Sequence, residues 1–125
     1  MTSREARLVA LRGAITVEAD TRDEVSEKTQ RLVKEMLARN DVHHDDLVSI
    51  IFTATDDVHS DFPAAAARAL GLGDVPLLCA RELGITHGMP LCVRVLMHVY
   101  SDRRRDELHH VYLEGARGLR DDLPE

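Results

Sequence analysis

A chain of 125 residues with 44% hydrophobic and 30% charged side chains is long enough for one domain with a real core, and its composition argues against disorder. No apolar run approaches the roughly 20 residues needed to cross a bilayer. The net charge of −6 makes the overall field repel nucleic acid and anionic membrane. Cys79 and Cys92 form neither a disulfide framework nor a Cys-x-x-Cys motif. Met1 to Arg7 leads too quickly into a strand-like run for a signal peptide, so the expected location is the cytoplasm.

The first element is Ala6 to Val17, apolar and β-branched toward its end, with Gly13 marking a bend or bulge. A helix follows, started by a capping box of Thr21 and Glu24. Val25, Leu32, Val33, Met36 and Leu37 share one helical face, and Asn40-Asp41 ends it. Leu47 to Thr55 is a nearly continuous apolar run of strand length, the pattern of a strand covered on both faces. After a polar loop, Asp56 to Asp61, Pro63 opens an alanine-rich helix that stops at Gly71.

Val75 to Cys79 reads as a short buried strand, and Arg81 to Pro90 as irregular, broken by Gly84, Gly88 and Pro90. Leu91 to Tyr100 is the strongest strand pattern in the chain. Ser101 to Asp106 is a charged connection and His110 to Leu119 a last strand weakened by Gly115 and Gly118. The order β-α-β-α-β-β-β implies an α+β fold, a mixed β-sheet with helices packed on one face. With no repeat or linker, residues 1–125 form a single domain with loose termini at 1–5 and 121–125.

Of the 16 basic residues only Lys28 and Lys34 are lysine, a bias that codon usage explains in total but not in placement. Arg12 and Arg94 interrupt apolar strands. Period-2 alternation puts Arg12 with Ala10, and Arg94 with Leu96 and His98. A guanidinium keeps its charge, so on a sheet face it needs a carboxylate, a bound anion or solvent. Singly, solvent or an ion pair explains each better. Together with Arg68 on the alanine-rich helix they begin to form an anion site.

The runs Leu11-Arg12-Gly13-Ala14-Ile15-Thr16-Val17-Glu18 and Phe52-Thr53-Ala54-Thr55, then Phe62-Pro63-Ala64 with Ala67-Arg68, occur in that order. Val75-Pro76 leading to Cys79 and Glu82, Val93-Arg94-Val95, and His110-Val111-Tyr112-Leu113 with Leu119-Arg120 complete the series. In order and jointly, over nearly the whole chain, these motifs resemble the AroH-class chorismate mutases.

The resemblance implies a homotrimer forming a pseudo-α/β barrel, with chorismate bound in clefts between subunits and with no cofactor or metal. It puts Arg12, Phe62, Arg68, Cys79, Glu82, Arg94, Tyr112, Leu119 and Arg120 on site positions. It implies further that Arg94 acts on the ether oxygen of the breaking bond and that Arg12 holds a carboxylate beside Tyr112. Glu82 and Cys79 would bind the ring hydroxyl. Phe62 and Leu119 would wall the ring, and Arg68 and Arg120 would neutralise the remaining carboxylate from the rim.

Each residue has a plainer alternative: Cys79 as a small core residue, Glu82 as a solvated partner of Arg81, Tyr112 as strand packing. Arg103-Arg104-Arg105 reads as an exposed turn, and the pairs His43-His44 and His109-His110 lack the further ligands of a metal site. Leu78 and Ala65 depart from the family pattern, which bears on affinity more than on reaction type. The competing readings are a deaminase-like trimer binding a small carboxylate between subunits, or a non-catalytic module sensing an anionic aromatic precursor.

Overall fold

Strand β1 (Arg7–Thr16) is followed by helix α1 (Arg22–Arg39), β2 (Leu47–Ala54), α2 (Pro63–Ala69), β3 (Leu77–Arg81), β4 (Cys92–Ser101) and β5 (Val111–Leu113). These elements come from a computed structural model that describes residues 5–120, so the expected loose termini fall outside the described residues except for Glu5. Thr21 caps α1, its hydroxyl accepting from the Glu24 amide at 3.2 Å. The capping box is not reciprocal: the Glu24 carboxylate reaches past the cap to the Glu18 amide at 2.9 Å. At the other end the Asn40 amide group donates to Met36 O and His109 O and accepts from His109 N. That side chain closes the helix and ties it to the chain leading into β5.

The five strands form one sheet in the order β3-β2-β4-β1-β5. β4 runs antiparallel to β1 and to β2, while β3 and β5 join the edges in parallel. Alternation sends Leu11 and Ile15, Ile50 and Phe52, and Val93, Val95, Met97 and Val99 to one face, where both helices pack. That face is fully buried, with Leu32, Val33 and Met36 of α1 against it. The core is aliphatic; Phe52 is its only aromatic among the described residues.

Four details differ from the sequence reading. Gly13 is not a bulge: the β1–β4 register runs unbroken from Arg7↔Ser101 to Thr16↔Cys92. The glycine is there because α1 lies against it, and a Cβ would sit 2.5 Å from Met36 Sδ. The irregularity falls instead in β2, between Leu47 and Ser49. Second, the strand expected over Val75 to Cys79 runs from Leu77 to Arg81; Pro76 contributes only its carbonyl, to the Ile50 amide.

Third, the strand expected over His110 to Leu119 is three residues long, and Glu114–Arg120 coils into a 3₁₀ segment. Glu114 sits at φ 55°, which breaks the strand. The Gly115 amide then donates to Thr16 Oγ1 at 2.8 Å, where a Cβ would lie 2.9 Å from the same oxygen. Fourth, β2 is covered on one face only within the chain: Ser49, Ile51 and Thr53 stay half-exposed on the other.

Candidate active site

The uncovered face of the sheet holds the arginines. Strand register aligns Ala80, Thr53, Arg94, Ala14 and Tyr112 in one row across all five strands. The next row is Leu78, Ile51, Leu96 and Arg12. Arg94 therefore rises between two small neighbours, Thr53 and Ala14. Arg12 is its diagonal neighbour, about 7–8 Å away at the backbone.

At the β1–β5 end of this row Ala14 and Tyr112 join Cys92 and Ala116 in a small buried cluster, with Leu119 packed on it. Burial pushes the Cys92 thiol up, against the opposing pull of the Arg94 guanidinium. Cys92 is thus a neutral filler under the site.

Glu82 approaches from the end of β3. Its amide is fixed to Ala54 O at 2.9 Å. Thr53 Oγ1 donates to Glu82 Oε2 at 2.6 Å, and Arg94 Nε lies 3.7 Å from the same oxygen. Glu82 and Arg94 form a loose, partly exposed pair, not a closed ion pair, so each retains capacity for a ligand. Arg12 has no ion pair with a carboxylate among the described residues. Its backbone amide donates to His110 Nδ1 at 2.9 Å.

Two cavities flank Arg94. One of about 390 Å³ has Arg12, Thr53, Arg94, Leu96, Tyr112 and Leu119 in its wall. The other, of about 470 Å³, is lined by Glu82 and Arg94 together with the loop that carries Gly84 and Gly88. The base of that loop is held by Asp57, which accepts from the Leu91 amide with both oxygens at 3.0 Å and from Thr55 Oγ1.

Phe62 and Cys79 lie elsewhere. They line a third cavity of about 480 Å³ with Ser60, Asp61 and Arg81, and Cys79 packs against the helix-side core. Asp20 shapes its rim by accepting from the amides of His59 and Ser60. Phe62 is 67% exposed, an unusual position for an aromatic ring in a chain with so few. Arg68 is exposed on the last turn of α2 and lines neither cavity group. Arg120 ends the 3₁₀ segment, and its side chain lies outside the described residues.

Within one chain, then, Arg12, Glu82, Arg94, Tyr112 and Leu119 come together, while Phe62 and Cys79 belong to a separate half. Glu82 and Cys79 do not share a cavity in a single chain.

Sequence reasoning missed three supports. Thr53, which orients Glu82, was legible as a polar residue in an apolar strand at even spacing from Ser49 and Ile51. Asp57 carried no pattern. Glu114 accepts from Arg31 and lies 3.6 Å from Lys28 Nζ, so α1 holds the start of the segment bearing Leu119. The Arg31 hydrogen bond, then the Lys28 charge, keep the Glu114 carboxyl below the usual carboxylate range.

The family model described as chorismate mutase type I matches residues 8–123. The chain is 42% identical over 114 residues to chorismate mutase AroH of Bacillus subtilis strain 168, covering 90% of each. It is 44% identical over 114 residues to chorismate mutase AroH of Thermus thermophilus, covering 90% of this chain and 93% of the relative. The solved structure of a chorismate mutase from Clostridium thermocellum superposes with a TM-score of 0.86 at 44% identity, over 87% of this chain and 97% of that one.

Proposed function

The chain belongs to the type I chorismate mutase family, and we propose from that premise how its open sheet face performs the rearrangement of chorismate to prephenate. The protein is an isomerase of aromatic amino acid biosynthesis. The reaction is a concerted [3,3] shift that needs no proton transfer, covalent intermediate or metal. Catalysis then rests on holding a compact conformer and stabilising charge as it separates.

The observation that carries the reading is Arg94, set between Thr53 and Ala14 with Glu82 only loosely engaged. As the ether bond breaks its oxygen gains negative charge, and a fixed cation there binds the transition state more tightly than the ground state. A rigid planar fork can contact ether oxygen and carboxylate together in a fixed geometry, for which a flexible ammonium is a poorer substitute. Arg12 takes a carboxylate, with Tyr112 beside it. Glu82, held by Thr53, accepts from the ring hydroxyl and favours the pole where positive character develops.

Phe62, Cys79 and Arg68 complete the site from a neighbouring subunit of a homotrimer, with Arg120 at the rim. Support comes from the split of the candidate residues into two halves. It comes also from the uncovered face that exposes Leu8, Leu78 and Tyr100 at 54%, 60% and 51%. The enzyme works in the cytoplasm; no described helix is long and apolar enough to cross a membrane, and both cysteines are free thiols.

The test is incubation with chorismate, following loss of its absorbance and appearance of prephenate. Saturable turnover unaffected by chelator is expected. An inert protein, or one needing added metal, overturns the reading.

A further inference from the structure

Loop 82–91, which joins β3 to β4, begins and ends on one short stretch of chain. The amide of Glu82, its first residue, donates to Ala54 O at 2.9 Å. The amide of Leu91, its last, donates to both oxygens of Asp57 at 3.0 Å. Thr55, between those acceptors, is bonded twice to Cys92: its amide donates to Cys92 O and its hydroxyl accepts from the Cys92 amide, each at 3.0 Å. This stretch is itself tied down by Arg81, whose Nη1 donates to Thr55 O at 2.6 Å and to Val58 O at 3.1 Å. Inside the loop, Ile85 donates to Leu83 O and Gly88 to Ile85 O, turns that close on the loop itself.

Leu91 is strained. Its φ of 50° lies in the left-handed region, which crowds the Cβ against the backbone. Aspartate and asparagine enter that region because a short polar side chain bonds locally; leucine has no such compensation. A conformation of this kind persists only where its surroundings over-determine it. At Leu91 the Asp57 carboxylate holds the amide, and the Val17 amide donates to the carbonyl at 2.9 Å. Pro90, just before, has a fixed φ, so these two residues set the angle at which the chain enters β4.

We propose that Asp57 is a positioning residue of the rearrangement: by holding Leu91 in its left-handed conformation it fixes the spacing between Glu82 and Arg94. Glu82 opens the loop, Arg94 follows its last residue by three, and both line the cavity of about 470 Å³. Arg94 Nε stands 3.7 Å from Glu82 Oε2. Opposite charges so placed attract, and closer approach would make a tight pair that takes the guanidinium from a ligand. Anchors at Ala54 and Asp57 keep the two ends of the loop from drifting together. The effect on rate rests on the proposed reaction; the strain at Leu91 does not. Asp57 lines the same cavity, so direct contact with substrate is the rival role, and substitution at Leu91 separates the two.

Steady-state kinetics with chorismate, beside thermal unfolding of the whole protein, test the proposal. Asp57→Ala should lower kcat by roughly tenfold or more with KM within about twofold of native. Asp57→Asn, which keeps an acceptor oxygen for the Leu91 amide, should lose less. Glycine enters the left-handed region freely, so adding Leu91→Gly to Asp57→Ala should raise kcat again by about threefold or more. Adding Leu91→Ala, which also deletes the side chain packed on the core but keeps the crowded Cβ, should restore nothing. As single variants, Leu91→Gly should melt above Leu91→Ala, the reverse of the usual order. A native kcat in Asp57→Ala, or a change in KM alone, overturns the positioning role. A loss of kcat that Leu91→Gly does not restore, or that both Leu91 changes restore equally, makes Asp57 a direct contact and overturns it too. Leu91→Ala melting above Leu91→Gly removes the strain whatever the kinetics. A native protein inert toward chorismate sinks the reaction and with it the rate effect, whereas glycine melting above alanine still establishes the strained hold at Leu91.

Discussion

The two faces of the sheet are built from the same strands and have opposite chemistry. On one, Val93, Val95, Met97 and Val99 alternate inward beneath α1 and α2 and exclude water completely. On the other, Arg94, Leu96 and His98 come from the same ten residues of β4 and stay partly or fully exposed, outside the core that α1 and α2 cover. The covered face can be varied only within its packing volume, because any lost methylene leaves a void. The open face tolerates fixed charge because solvent, Glu82 or a ligand can reach it. A sheet with one finished face and one unfinished face separates folding from chemistry.

The sharpest way to break that separation is Arg94→Ala. Turnover should fall by roughly 10²–10³-fold with the melting temperature almost unchanged, measured by steady-state kinetics beside thermal unfolding. Near-normal kcat would remove Arg94 from the mechanism, and a large loss of stability would mean the open face also carries the fold.

The reciprocal change is Leu32→Ala on α1, fully buried against β1. It should cost about 2–5 kcal/mol in denaturant unfolding yet leave the kcat of the folded fraction near native. A catalytic defect matching that of Arg94→Ala would show that the faces are not independent.

The smallest expected effect falls where the faces are stitched together, at Glu114. Glu114→Gln loosens the hold of Arg31 and Lys28 on the segment carrying Leu119, and KM should rise roughly two- to threefold with kcat retained. The pH dependence has a definite sign. The carboxyl lies below its unfolded value of about 4.3, so its contribution is present above that value and fades as pH falls through the folded one. The stability gap between native protein and Glu114→Gln should be full at pH 7, begin to shrink below about pH 4.3 and close as pH falls through the lowered folded value. A gap that is the same at both pH values would assign Glu114 a purely steric role.

Much of this was legible from residues alone. Alternation put Arg12 and Arg94 on one face of their strands, and the α1 stripe through Leu32 and Met36 named the face that is buried. What escaped depended on contacts remote in sequence. Gly13 reads as a breaker, because nothing local says that Met36 will press against it. His110 to Leu119 reads as a strand, because the positive φ of Glu114 leaves no mark on an apolar pattern. The division of Glu82 from Cys79 was invisible, since three residues along an edge suffice to pass from one face of the sheet to the other. The family resemblance named these residues together; the geometry shows that one chain alone does not unite them.

The pairing of β1 with β4 carries a consequence for how the protein is made. Arg7 meets Ser101 and Thr16 meets Cys92, so β1 waits for a strand synthesised only after both α-helices, β2 and β3. At ordinary elongation rates that interval is on the order of ten seconds. Through it β1 has neither of its sheet neighbours, and its apolar residues, with those of β2, depend on α1 or a chaperone for cover. Closure then rests on a single late, non-local event, the kind that makes folding slow. The growing chain is most exposed to aggregation just before β4 emerges.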